Sequence, residues 1–254
     1  MSSKPDMIGI IPARYESSRF PGKPLASILG KPMFWHVYQR AAECTLLDHI
    51  VLATDHPKIL NAARELGVPA VMTAVSHRSG TDRVLEASRM LDISSKAIVV
   101  NIQGDEPALD PRMLEQLLSP FVSDPHVNIC TLARKAAQNE VENPNVVKVV
   151  FSQSNRALYF SRSPIPFSRG NKAVQFAHIG LYAFRMSHLE LFSSLSQGRL
   201  ELTEKLEQLR LLEADIPIHV VVTELKCHGV DTPNDIINVT KLIQEKHNES
   251  YSGT

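Results

Sequence analysis

The residues able to do chemistry in this sequence are three cations close together near its start and two carboxylates far apart. Arg14, Arg19 and Lys23 fall within the stretch Gly9-Ile10-Ile11-Pro12-Ala13-Arg14-Tyr15-Glu16-Ser17-Ser18-Arg19-Phe20-Pro21-Gly22-Lys23-Pro24. Its apolar beginning reads as a buried strand, and its Gly/Pro-punctuated remainder reads as a loop. Open α/β sheets place ligands at the carboxyl ends of their strands, and Arg or Lys there suits phosphate or carboxylate. A single basic loop residue is commonly just solvated. Three of them pinned by Pro12, Pro21, Gly22 and Pro24 point to an anionic ligand.

The first carboxylate follows the strongest strand signal, Ala97-Ile98-Val99-Val100-Asn101-Ile102, which runs into Gln103-Gly104-Asp105-Glu106-Pro107. Apolar residues without alternation indicate a strand covered on both faces, so Asp105 is expected where a central strand opens to ligand. A hard cation such as Mg²⁺ takes carboxylate oxygen and shares its shell with substrate phosphate, which makes Asp105 a metal-ligand candidate. The competing reading, an Asp that caps the next helix, is weakened because Asp110 before Pro111 already fits that cap. The second carboxylate lies in Gly229-Val230-Asp231-Thr232-Pro233-Asn234-Asp235. Thr232 and Asp235 have capping-box spacing with Pro233 at the first helical position, which leaves Asp231 over for a metal.

The elements that must position these groups alternate between apolar runs and helical periods, as in βαβ units with a mainly parallel sheet. A helix is expected after Pro32, a strand at Ile50-Val51-Leu52-Ala53-Thr54, a helix from Pro57 and a short strand at Val71-Met72. Ser79-Gly80-Thr81-Asp82-Arg83 then opens a helix, where exposed N–H groups could take an anion or a base edge; Ser79 or Thr81 as a simple N-cap is an equal alternative. From Val127 the strand-like runs Val127–Leu132, Val146–Phe151 and Ala157–Phe160 lack full helices between them, which suggests an antiparallel second lobe. Phe160-Ser161-Arg162-Ser163-Pro164-Ile165-Pro166 ends a strand in a rigid loop, and Arg162 could grip a carboxylate with two prongs. A long amphipathic helix burying Leu202, Leu206, Leu209 and Leu212 is expected beyond the strand His178–Phe184, and a last strand at Ile218–Thr223.

Ile-Pro-Ala-Arg-Tyr followed by Ser-Arg-Phe-Pro-Gly-Lys-Pro-Leu resembles the nucleotide-binding signature of sugar cytidylyltransferases, in particular the 3-deoxy-D-manno-octulosonate (Kdo) cytidylyltransferase, or CMP-Kdo synthetase, family. Further blocks resemble it at Ser79–Arg83, His178–Tyr182, Glu207–Arg210 and Gly229–Pro233, so the likeness spans nearly the whole chain. It implies a Rossmann-like nucleotidyltransferase sheet, with a nucleotide-binding region at 1–126, a sugar-binding and dimerisation lobe at 127–200, and return elements at 201–254 that complete the first region. It implies Mg²⁺-dependent formation of CMP-Kdo and pyrophosphate from CTP and Kdo, activating Kdo for lipopolysaccharide synthesis. The implied nucleotide contacts are Pro12, Ala13, Arg14, Arg19, Lys23, Ser79, Gly80, Arg83 and Gln103; the implied sugar contacts are Arg162, His178, Tyr182, Glu207 and Gln208. Arg14, Lys23, Asp105 and Asp231 would carry catalysis, the two aspartates as metal ligands, in a homodimer. Taken without the resemblance, a lone His at a strand start is more often a structural hydrogen-bonder, and the charges around Glu207 read as solvated.

Composition narrows the alternatives. The 254 residues are 43% hydrophobic and 21% charged, ordinary for a globular protein, and the formal net charge of zero argues against a general nucleic-acid binder. Charge is uneven, with six basic against two acidic side chains in residues 1–40 and 21 against 25 in the rest. Cys44, Cys130 and Cys227 are widely spaced, as for reduced thiols in a cytoplasm, and no run approaches the ~20 apolar residues of a membrane span. The first loop lacks Gly-x-Gly-x-x-Gly, and Gly22-Lys23-Pro24 lacks the first glycine and the hydroxyl of a P-loop. The remaining rivals are a cytidylyltransferase for another sugar acid, such as a sialic acid, and a non-catalytic nucleotide-binding module.

Overall fold

The computed structural model describes residues 4–16, 20–77, 79–170 and 173–252, with side chains up to residue 245. The fold is α/β, and the chain forms two compact units. One comprises Asp6–Ile93, Asn101–Leu114 and Cys227–Thr254; the other comprises Met1–Pro5, Ser94–Val100 and Glu115–Lys226.

In the first unit the strands Met7–Ala13, His49–Thr54 and Ala70–Met72 lie parallel, with Ile8 opposite His49, Ala13 opposite Thr54, and Thr54 opposite Met72. Met7, Ile10 and Ile11 are fully buried, as expected for a parallel strand whose crossover helices cover both faces. The helices Met33–Ala42 and Gly80–Met90 pack on the first two strands, and Pro57–Glu65 packs on the second and third. Ile102 N donates to Ile10 O at 2.9 Å, so the chain leaving the strand Ile98–Asn101 runs beside the first strand. The segments after Ala13, after Thr54 and after Ile102 therefore emerge at one edge.

The helix Pro111–Ser123 begins as expected, with Asp110 Oδ1 accepting from Arg112 N at 3.1 Å. The closing helix starts at Pro233 and runs to Ser252. Its Val239 and Ile243 pack with Ile28, Met33, Ala108 and Val230, which ties the segment before Asp231 into the core of this unit. A small antiparallel pair, Ser27–Ile28 with Lys31–Pro32, contributes Ile28 to that cluster.

In the second unit Ile129–Lys135 runs antiparallel to Phe176–Arg185 and parallel to His219–Val222. Lys148–Phe151 pairs antiparallel with Ala157–Ser161 and with the start of Phe176–Arg185. These are the expected antiparallel runs, with ends shifted by up to three residues. The single long helix is not found. Two short helices, Arg199–Glu204 and Leu209–Glu213, are separated by Lys205 at φ 55°. The reason is competition for backbone acceptors. Arg162 Nε donates to Glu204 O at 2.8 Å and Nη2 to Lys205 O at 3.4 Å, taking carbonyls that a continuing helix would use. Leu202, expected inside, is 49% exposed, while Leu206 and Leu209 are buried.

Arg134 grips Glu140 with both guanidinium prongs, at 2.7 and 2.5 Å, while Ala137 N adds a third donor at 2.8 Å. The Arg134 hydrogen bonds hold the Glu140 carboxyl down at about 2, against the smaller opposing effect of burial. A depressed carboxyl stabilises the fold above its unfolded value near 4.5, and that contribution fades as pH falls through about 2. With the side chain 22% exposed, Glu140→Gln is expected to cost about 1–2 kcal/mol at pH 7 after screening, and less than half of that at pH 3. Urea unfolding at both pH values checks this; equal losses would contradict it. Among the described residues, no helix is long and apolar enough to cross a membrane.

Candidate active site

The edge of the first unit's sheet gathers most of the residues that the sequence singled out. Gly22, in the left-handed region at φ 69°, sets the turn that begins the short helix Lys23–Leu25, and Gly22 N donates to Tyr15 O at 2.8 Å. A residue with a Cβ is strained at that φ, so glycine is what lets the loop double back. Lys23 thereby points its ammonium inward, where Nζ donates to Asp105 Oδ2 at 2.6 Å and to Val230 O at 2.9 Å. Val230 N in turn donates to Asp105 O at 2.8 Å. One cation and two backbone groups therefore join the segment ending at Asp105 to the segment carrying Asp231. The Lys23 and Asp105 side chains are 17% and 35% exposed, so the pair is shielded yet reachable.

Asp231 is exposed, and its backbone N–H donates to Asp235 Oδ2 at 3.0 Å. Asp235 Oδ2 also accepts from Thr232 N and Thr232 Oγ1, at 2.8 and 2.9 Å, which fixes the turn at the helix start. Among the described residues no three His, Cys, Asp or Glu side chains form a ready cation cage. Two acidic residues beside a loop that carries cations are nevertheless the donor set that suits Mg²⁺, which keeps several waters and takes its other ligands from substrate phosphate.

Beside Asp105, Glu106 is buried, and its Oε2 has no hydrogen-bond partner among the described residues. Burial pushes its carboxyl up to about 7; a hydrogen bond from the Cys227 thiol pulls it back, and the Asp105 charge adds to the rise.

Gly104 precedes Asp105 in the chain, and nothing in the sequence assigns it a role. A Cβ built there would lie 2.5 Å from Pro12 O, so the chain before Asp105 passes directly against the end of the first strand. Gly80 stands near the same proline, with a built Cβ 3.4 Å from Pro12 Cγ. Ser79 Oγ accepts from Asp82 N at 3.1 Å, the N-cap alternative of its two readings. Arg83 is buried and ion-paired, with Nη2 on Asp55 Oδ2 at 2.7 Å and Nη1 on Thr73 Oγ1 at 2.6 Å. Asp55 Oδ1 also accepts from Tyr15 N at 3.0 Å. Pro12 and Gln103 are partly buried, Ala13 is buried and Arg14 is exposed; Arg19 lies outside the described residues.

The residues that the family resemblance ties to the sugar belong to the second unit. His178 Nε2 is 3.0 Å from Thr131 Oγ1, and the ring packs edge-on to Phe160 at 5.0 Å and beside Tyr182 at 5.4 Å. That packing desolvates the imidazole and holds it down at about 3, hence neutral near pH 7, although part of the residue still reaches the surface. Burial raises the Tyr182 phenol, against a smaller lowering by the Thr131 hydroxyl. Gln208 is buried and Glu207 partly so. Arg162 gives Nη1 to Pro144 O at 2.9 Å besides its two bonds to the 204–205 carbonyls, leaving two of five N–H groups for an anion.

Sequence patterning gave no sign of Lys148, which is fully buried. Its Nζ donates to Asn143 O at 3.0 Å, Val146 O at 2.8 Å and Arg162 O at 2.5 Å, clamping the Arg162 segment to the turn before it.

A parallel sheet whose ligand edge sets a lysine against an aspartate, with a second aspartate one residue beyond the joint, has the architecture of a nucleotidyltransferase. Residues 8–218 match the cytidylyltransferase family model, and the chain belongs to that family. Within it, the chain is 57% identical to the 3-deoxy-manno-octulosonate cytidylyltransferase of Nitratidesulfovibrio vulgaris (strain DP4), covering 96% of this chain and 99% of the relative. It is 50% identical to the enzyme of that name from Lawsonia intracellularis, over 94% of each chain. A solved structure of CMP:2-keto-3-deoxy-manno-octonic acid synthetase complexed with CTP superposes with a TM-score of 0.90 at 41% identity, covering 95% of this chain and 99% of the other. A cytidylyltransferase from Leptospira borgpetersenii, at 18% identity and a TM-score of 0.63, shares the fold.

Proposed function

We propose that this chain transfers the cytidylyl group of CTP to Kdo, in a Mg²⁺-dependent reaction that yields CMP-Kdo and pyrophosphate and supplies lipopolysaccharide synthesis. The observation that supports this assignment is the joint at Lys23, Asp105 and Val230, where a cation meets one carboxylate beside the residue that precedes Asp231. The anomeric hydroxyl of Kdo attacks the α-phosphorus, the bond from that phosphorus to the bridging oxygen of pyrophosphate breaks, and the hydroxyl proton passes to solvent.

Each residue's role follows from its chemistry. Both substrates are anions, so repulsion is the main obstacle to bringing them together. Lys23, Arg14 and Arg19 offset triphosphate charge, and the pairing of Lys23 with Asp105 holds the ammonium at a fixed place beforehand. Asp105 and Asp231 would hold Mg²⁺, which when bound polarises the α-phosphate and acidifies the attacking hydroxyl. Pro12, Ala13, Ser79, Gly80, Arg83 and Gln103 shape the nucleotide side. Arg162, with two N–H groups left over, takes the Kdo carboxylate, while neutral His178, Tyr182, Glu207 and Gln208 meet its hydroxyls. Positioning and charge neutralisation account for catalysis here, as in other transfers at phosphorus. We also place the working protein in the cytoplasm, a reading supported by three cysteines that form no disulfide, and as a homodimer, which rests on the family likeness alone.

The test is pyrophosphate release with CTP, UTP or ATP, each paired with Kdo or a sialic acid. Release is expected from CTP with Kdo and from no other pair at a comparable rate. Equal release with a sialic acid would move the assignment to that sugar class, and release without any sugar would end it.

A further inference from the structure

We propose that Asp55 is a positioning residue that sets the nucleotide-binding loop, acting through its two oxygens on two segments of the same unit. This rests on the nucleotide reading of the Arg14–Lys23 loop and deepens it. Asp55 is the first residue beyond the strand His49–Thr54, and Thr54 lies opposite Ala13, so Asp55 leaves the sheet level with Arg14. Its Oδ1 accepts from Tyr15 N at 3.0 Å. Its Oδ2 accepts from Arg83 Nη2 at 2.7 Å, in a pair whose side chains are 11% and 3% exposed.

Each half of this arrangement is held from behind. Arg83 cannot drift, because Nη1 also donates to Thr73 Oγ1 at 2.6 Å and to Ala74 O at 3.3 Å. Thr73 is itself fixed, with N and Oγ1 both donating to Thr54 O, at 2.7 and 3.0 Å. On the loop side, the Tyr15 ring stacks on His56 with centroids 3.9 Å apart and planes 17° apart, and Tyr15 O accepts from Gly22 N at 2.8 Å. Tyr15 therefore anchors the chain between Arg14 and Gly22, and the anchor's donor is oriented by one carboxylate whose other oxygen is locked by a buried guanidinium. A charged acceptor makes a shorter and stronger bond to a backbone N–H than a neutral one. Asp55 thus governs where Arg14 and Lys23 stand, while Arg83 acts through Asp55 from beneath.

The experiment compares wild type, Asp55→Asn and Asp55→Glu by calorimetric CTP titration and by KM for each substrate. Asp55→Asn weakens the Tyr15 bond and leaves Arg83 unpaired. Asp55→Glu keeps the charge beside Arg83, and with it the fold, but is too long to hold both partners in place. Both variants are expected to weaken CTP binding about tenfold, with the KM for Kdo within twofold of wild type. A merely structural role would lower thermal stability without separating the two substrates. Wild-type CTP affinity in folded Asp55→Glu, or an equal rise in both KM values, overturns the inference. Failure of the wild-type protein to bind CTP at all would instead overturn the nucleotide reading beneath it.

Discussion

Replacing Asp231 with Asn is expected to lower turnover by about 10²- to 10³-fold while leaving CTP binding measurable by calorimetry. The substitution keeps the size of the side chain and the backbone N–H that donates to Asp235 Oδ2 at 3.0 Å, so the turn before the closing helix survives. What disappears is one negative charge, next to a residue whose N–H and C=O are bonded to Asp105 and Lys23. A carboxamide is a far poorer ligand for a hard divalent cation, and loss of one such charge contact typically raises a barrier by about 3–4 kcal/mol. Ground-state affinity for CTP changes less, because the loop cations and the base-side contacts remain. Turnover near wild type in excess Mg²⁺ would remove Asp231 from the metal, and a parallel loss of CTP affinity would assign it to nucleotide binding.

The parts of this site that the sequence made legible share one feature: their signal is local. The apolar run before Pro12, the Asp beyond the run 98–101 and the surplus Asp before Thr232-Pro233 could all be read from neighbours in the chain. Asp110 as the cap of its helix was legible for the same reason. The break at Lys205 was not, because Leu202, Leu206, Leu209 and Leu212 keep helical spacing. The competing demand comes from Arg162, a distant residue that takes the carbonyls of Glu204 and Lys205. Lys148 was hidden for a related reason, since a lysine at a strand start reads as surface until three carbonyls from two segments are seen to surround it. Arg83 is a nucleotide contact only through the family resemblance, and its guanidinium lies on Asp55, a residue that no local pattern in the sequence singles out.

Gly104 is the case where a long-range contact makes the largest demand on a single position, and Gly104→Ala is expected to disturb stability and turnover together. The added Cβ would sit 2.5 Å from Pro12 O, 3.5 Å from Pro12 C and 3.6 Å from Ile11 Cγ2. A flexible side chain could swing aside from such a contact, but a strand carbonyl cannot. Pro12 is paired in register with Ala53, and Ile11 beside it is fully buried. Relief must come from shifting either the strand end that leads to Arg14 or the turn that leads to Asp105. Overpacking of this kind costs about 3 kcal/mol. Either shift also separates the strand end that leads to Arg14 from Asp105, and a displacement of about 1 Å there can cost about 10²-fold in rate. Gly170→Ala is the control, because a Cβ at Gly170 meets nothing within 4 Å among the described residues. Urea unfolding and pyrophosphate release are expected to show a lower midpoint and about 10²-fold slower turnover for Gly104→Ala, with Gly170→Ala matching wild type. A Gly104→Ala protein with the wild-type midpoint and rate would mean that the first strand and the Asp105 turn do not approach as closely as this geometry requires.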